Sequence, residues 1–134
     1  MAGSFATARG NIFCFGLWAI ELKLTGGFIG DCGLTYQEVE GRSELEIGYH
    51  IMPHERRHGY ATEAALACLE FGFRHTAAPM ICSIVRPDNI ASCIVAARVH
   101  SARREFTKRD RPALLFYTTL HQYETRNPSC TIRG

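Results

Sequence analysis

The densest run of reactive side chains is residues 51–64, Ile-Met-Pro-His-Glu-Arg-Arg-His-Gly-Tyr-Ala-Thr-Glu-Ala. A strand pattern ends there, a basic loop follows, and Gly59 opens a helical pattern. The first turn of a helix presents backbone N–H groups without intrahelical acceptors, and its dipole favours negative charge. Such a turn is an anion cradle. Gly59 lets the backbone approach a phosphate closely. Arg56 and Arg57 can add charge-assisted hydrogen bonds, and the small Ala61 allows close packing. Neither a Gly-Lys-Ser/Thr loop nor a GxGxxG fingerprint is present, which points away from nucleoside triphosphates and nicotinamides and leaves pyrophosphate. Just before this run, Glu46 and His50 lie on the polar face of a strand, where either can accept a proton. His50, His54 and His58 are spaced by four, but Pro53 breaks any common helical face, so no metal site is expected.

The elements that must position these groups are legible in outline. Residues 11–24 and 28–36 read as two strands of a hairpin, and residues 37–43 as a connecting turn. Residues 44–51 alternate with period two. Leu45, Ile47, Tyr49 and Ile51 fall on one face; Glu44, Glu46, Gly48 and His50 fall on the other. Residues 61–75 carry an apolar stripe of Ala61, Ala65, Leu66, Leu69 and Phe73, which predicts a helix. Residues 80–85 form a short apolar strand, residues 86–89 a turn, and residues 90–100 a helix capped by Asp88 or Asn89. Residues 104–107 and 114–120 supply two last strands, and the apolar final strand is a candidate dimer contact. One domain over residues 11–124 is expected, with residues 1–10 a flexible terminus and 125–134 a tail.

Composition narrows the function classes. The chain has 134 residues, 46% hydrophobic and 21% charged, which excludes a disordered or collagenous protein. The net charge of +2 does not support nucleic-acid binding. Charge is unevenly placed, however. Residues 21–70 hold nine acids against four bases, and residues 98–111 hold six bases against two acids. The basic area suits an anionic cofactor, and the acidic area a cationic partner. The six cysteines form no CxxC pair; four lie in apolar or helical runs and read as small core residues, and a reduced cytoplasmic compartment is expected. No secretory leader and no 18-residue apolar window is present, so no membrane partner is expected.

Arg56-x-x-Gly59-x-Ala61 resembles the pyrophosphate-binding signature of the GCN5-related N-acetyltransferases. Glu46-Ile47-Gly48-Tyr49, Gly59-Tyr60-Ala61-Thr62-Glu63-Ala64, Asn89-Ile90-Ala91-Ser92 and the hairpin with Trp18 and Gly30 are similar to the branch that acetylates ribosomal-protein N-termini. The resemblance spans about residues 13–120. It implies the acyl-CoA N-acyltransferase fold, an α/β (α+β) protein with a central mixed sheet, splayed parallel strands and flanking helices. Acetyl-CoA would enter the splay between residues 47–52 and 80–85. Backbone groups near Ile51 and Met52 would pair with the pantetheine arm. Arg56, Arg57, His58, Gly59, Tyr60 and Ala61 would hold the pyrophosphate. Asn89 and Ser92 would contact the cofactor or organise its loop.

Such an enzyme moves an acetyl group to an amine, either a protein N-terminus or a small cationic molecule. Glu46 is the preferred base, with His50 second. Alanines at 96 and 97 stand where the family often carries a tyrosine acid, leaving Tyr117 and Tyr123 as substitutes or a thiolate that departs unaided. His100 replaces a glycine at a helix end, where a left-handed backbone would cost a histidine. These departures keep a CoA-binding or regulatory protein with little catalysis as the alternative. The resembling enzymes also carry further elements ahead of the hairpin that wall the acceptor site. With ten residues there, an open wall, a partner-supplied wall or a shortened product is expected.

Overall fold

The computed structural model describes residues 3–8, 14–22, 27–51 and 59–128. The chain order is β1 (Gly3–Ala8), β2 (Cys14–Leu22), β3 (Phe28–Val39), β4 (Arg42–Ile51), α1 (Tyr60–His75), β5 (Met80–Val85), α2 (Ile90–Val99), β6 (Ala102–Lys108), β7 (Arg111–Thr119) and α3 (Leu120–Arg126). The described strands form one mixed sheet ordered β1-β2-β3-β4-β5-β7-β6. β4 and β5 run parallel; the other neighbours are antiparallel.

Several expectations are corrected. Residues 3–8, read as part of a flexible terminus, are a strand paired with β2. The turn predicted over residues 37–43 shrinks to Glu40 and Gly41, both at positive φ, because β3 and β4 pair to their ends. The last apolar strand is read in the structure as β7 and lies between β5 and β6. Helix α3 occupies residues placed partly in the tail. Its signal was present: Thr119-x-x-Gln122 forms a capping box, with each side chain bonded to the other residue's backbone.

Phe73 of α1, Val99 of α2 and Tyr123 of α3 share one core with Leu34, Leu45, Ile47 and Ile81, so the helices cover one face of the sheet. The predicted stripe of α1 holds for Ala65, Leu69 and Phe73, but Leu66 is 39% exposed. Cys68 and Gly72 take part in the burial instead. Gly72 lowers helix propensity, and the reason is space. A Cβ there would lie 2.6 Å from Ile81 Cδ1, so α1 crosses the sheet too closely for a side chain. A second core of Val39, Cys82, Phe106, Ala113 and Leu115 lies on the opposite face. The β3–β4 hairpin end is clasped to β6 there by the Arg104–Glu40 ion pair and by Lys108 Nζ donating to Glu38 O at 3.1 Å.

Candidate functional site

The β4–β5 ladder has two rungs, Leu45↔Ile81 and Glu46↔Cys82. Beyond them side chains replace the ladder. Ser83 Oγ donates to Ile47 O at 3.2 Å, and Ile84 N–H donates to Glu46 Oε2 at 2.8 Å. Both clips sit where the strands separate.

A cleft of about 1000 Å³ lies between the N-terminal ends of α1 and α2, beside the end of β4. Gly59, Tyr60 and Ala61 line one side, Asn89 and Ser92 the other, with Tyr49 and His50 also in the lining. Six residues selected from the sequence, His50 included, are thus brought together. Gly59 caps α1 at φ 79°, a left-handed backbone that favours glycine, so the turn needs glycine for its conformation as well as for access. The helical ladder begins with Glu63 N–H to Gly59 O at 3.0 Å. The amides of Ala61 and Thr62 precede it and have no intrahelical acceptor. Thr62 Oγ1 is buried in the same turn with no hydrogen-bond partner among the described residues. Orphaned donors at a helix N-terminus fit an anionic group such as a pyrophosphate.

Asn89 is the N-cap of α2, its Oδ1 accepting Ser92 N–H at 3.2 Å. The Ser92 carbonyl accepts the Tyr49 hydroxyl at 3.0 Å, which ties β4 to α2 across the cleft. Burial pushes the Tyr49 hydroxyl up to about 12, so it stays protonated. Sequence reasoning placed Tyr49 only on an apolar face and missed this polar end, as it missed Thr62. Tyrosine is the residue type on that face with a hydroxyl needing a partner.

Glu46 does not line the cleft. It projects from the other face of β4, half-buried, into the strand gap. Burial raises its pKa above the usual carboxylate range, partly offset by the Ile84 N–H and by Lys108. His50 is exposed and lies opposite Asp31 in the β3–β4 register. Ile51 ends β4 opposite Gly30. Met52, Arg56, Arg57 and His58 fall outside the described residues, as do His54 and Pro53.

The helix-end expectation at His100 is overturned. Its backbone is extended, φ −97° and ψ 159°, so no left-handed conformation has to be relieved. The side chain is buried, with Nε2 2.9 Å from Ser83 Oγ and Nδ1 3.0 Å from Thr118 Oγ1. Ser83 gives its proton to Ile47 O, so His100 Nε2 must be the donor to Ser83; Thr118 then donates to Nδ1 and accepts Ser101 N–H at 3.2 Å. Burial, assisted by Arg126, lowers the imidazole to about 3 and keeps it neutral. Tyr117 belongs to the core on the far face and Tyr123 packs on Phe73 with ring centroids 5.1 Å apart. Neither lines the cleft, so neither takes the place of the family's tyrosine acid there.

Comparison with known proteins defines the class. The acetyltransferase (GNAT) domain model matches residues 2–101, and the chain belongs to that family. The Bacillus subtilis (strain 168) protein YkkB is 40% identical over 83 residues, 62% of this chain and 48% of its own. The chain spans about half the length of the curated relatives it matches. An acetyltransferase of Agrobacterium tumefaciens str. C58 is 27% identical, with TM-score 0.64 over 76% of this chain and 59% of its own. AAC(6')-Ib, solved with Parmomycin and AcetylCoA, shares the fold at 17% identity, with TM-score 0.70 over 84% of this chain and 68% of its own. The mixed sheet with flanking helices is thus the acyl-CoA acetyltransferase fold. No helix among the described residues is long and apolar enough to cross a membrane.

Proposed function

We propose that the chain transfers an acetyl group from acetyl-CoA to a primary amine by direct attack. One observation carries this reading: the left-handed Gly59 turn, the Asn89-capped helix and Tyr49 near the end of β4 line one cleft. The Gly59–Thr62 turn, with Arg56, Arg57 and His58, holds the pyrophosphate. The backbone of Ile51 and Met52 pairs with the pantetheine arm, and Asn89 and Ser92 form the opposite wall. Bound acetyl-CoA supplies the thioester. Glu46 takes a proton from the ammonium group, and its raised pKa suits that task. The free amine attacks the thioester carbonyl, a C–N bond replaces the C–S bond, and the thiolate leaves with a proton from solvent. His50 is the second candidate base, although its exposure and its distance along β4 favour Glu46.

The acid-rich half of the chain favours a cationic acceptor: a protein N-terminus, as in the ribosomal-protein branch it resembles, or a small polyamine or aminoglycoside. AAC(6')-Ib was solved with such a molecule. The reading is tested by titrating CoA into the protein and measuring thiol release from acetyl-CoA with spermidine, kanamycin and a peptide with a free N-terminus. Thiol release dependent on amine supports it. The alternative, a CoA-binding protein with little catalysis, has one observation in its favour: Tyr117 and Tyr123 lie away from the cleft. It predicts CoA binding without amine-dependent release.

A further inference from the structure

We infer that Gly48 keeps an amine-access lane open on the face of β4 turned away from the cofactor cleft, and so sets which acceptors reach Glu46. The inference rests on the acetyl-transfer reading and specifies the route of the second substrate. Glycine in the interior of a strand weakens it and needs a reason, such as a bulge, a special backbone or the close approach of a ligand. Gly48 shows neither of the first two. It pairs in register with Gly33, between the unbroken rungs Ile47↔Leu34 and Tyr49↔Cys32. Its φ is not positive; among the described glycines that property belongs to Gly41 and Gly59. Packing does not demand it either. A Cβ built at Gly48 meets nothing within 4 Å, in contrast to the crowded Gly72. The position is exposed.

What remains is close approach, and the neighbours indicate of what. Alternation along β4 puts Gly48 on the face of Glu46, while Tyr49 sends its hydroxyl the other way to Ser92 O in the cleft; His50, near the end of the strand, also reaches the rim of the cleft. Gly48 stands one strand repeat, about 7 Å, from Glu46. The cross-strand rungs beside it are Thr35↔Glu46 and Asp31↔His50, so an exposed floor at Gly48, whose partner Gly33 is buried, is bordered by carboxylates. A primary ammonium group crossing that floor meets Glu46 at the mouth of the strand gap. The cofactor cleft lies on the far side of the same strand. A side chain at 48 would project into this space without disturbing the fold.

The test is the series Gly48→Ala, Gly48→Val and Gly48→Leu, assayed for CoA affinity, thermal midpoint and acetyl transfer to spermidine, kanamycin and a free N-terminal peptide. We expect CoA affinity within about twofold of the native chain, a midpoint no lower than native, and kcat/KM for the amine falling with side-chain size by about 100-fold at leucine, the scale of a misplaced substrate. The loss should be carried largely by KM for the amine, with KM for acetyl-CoA unmoved. A merely structural glycine would lower the midpoint instead. Native activity that persists undiminished in Gly48→Leu overturns this inference alone. Loss of CoA affinity in the series also overturns it, because Gly48 would then serve the cofactor cleft. A native chain that binds CoA but acetylates none of the three amines overturns the parent reading and this one with it.

Discussion

Glu46 and His100 are both titratable groups moved by burial, and they respond to pH in opposite ways. The Glu46 pKa is higher folded than unfolded, so its contribution to stability is present at low pH and lost as pH rises through the folded value. At neutral pH its ionisation therefore works against the fold. Glu46→Gln should leave the thermal midpoint unchanged or raise it, since the amide oxygen can still accept the Ile84 N–H. The same substitution should cut amine acetylation by about 100-fold or more, the usual weight of a general base. In the native chain the acid limb of the kcat/KM profile should lie above the ordinary carboxylate range. His100 falls from 6.5 to about 3 on folding. The unfolded chain then binds more protons between those values, so stability falls as pH drops below 6.5. The slope approaches about 1.4 kcal/mol per pH unit from this one group. Denaturant midpoints from pH 7 to pH 4 should show that slope, and His100→Gln should flatten it.

At the scale of elements, two glycines have different reasons and should fail differently. Gly72→Ala adds helix propensity worth about 1 kcal/mol but drives a methyl into Ile81, and overpacking of this kind costs about 1–3 kcal/mol. Urea unfolding should show a net loss with CoA affinity retained. Gly59→Val forces a β-branched residue into the left-handed region, at about 1–2 kcal/mol for the backbone, and covers the helix amides. CoA titration should show binding abolished; intact binding would show the cradle to be misassigned. Element positions were legible where punctuation is strong. β5 begins at Met80 after Pro79 and ends before Arg86-Pro87, as the apolar run indicated. β4 kept its two faces because one-residue slips invert a strand's faces. α3 was legible through Thr119 and Gln122 but its apolar start merges with the preceding strand. The role of Arg126 at the end of α2, donating to Val99 O at 3.0 Å and Ser101 Oγ at 2.9 Å, depends on tertiary placement that no local pattern encodes.

Across the whole molecule, β4 is a partition. Tyr49 and the cleft lie on one side, Glu46 and Gly48 on the other, and the short β4–β5 ladder lets the two sides meet. The Gly59 turn that opens α1 could be read from residues 59–61 because a helix N-terminus is local in sequence. The position of Glu46 in the gap could not, because it depends on where two strands distant in the chain stop pairing. The same holds for His100, whose partners Ser83 and Thr118 come from β5 and β7. Cofactor binding should stabilise the whole unit: at 100 times its dissociation constant CoA adds about 2.7 kcal/mol, visible as a concentration-dependent thermal midpoint. The clasp between Glu40 and Arg104 is exposed on both sides. A double-mutant cycle should assign it less than about 1 kcal/mol, so the second core beneath it, from Val39 to Phe106, does most of the joining.

The Ile84 amide gives its proton to a carboxylate instead of a neighbouring strand, which makes it a built-in spectroscopic reporter. Its proton resonance should move as Glu46 ionises, tracing the titration of one carboxylate from one backbone signal. That movement should vanish in Glu46→Gln. Adding an amine acceptor should shift the resonance again, so proton capture can be watched separately from acetyl transfer, before any product has formed.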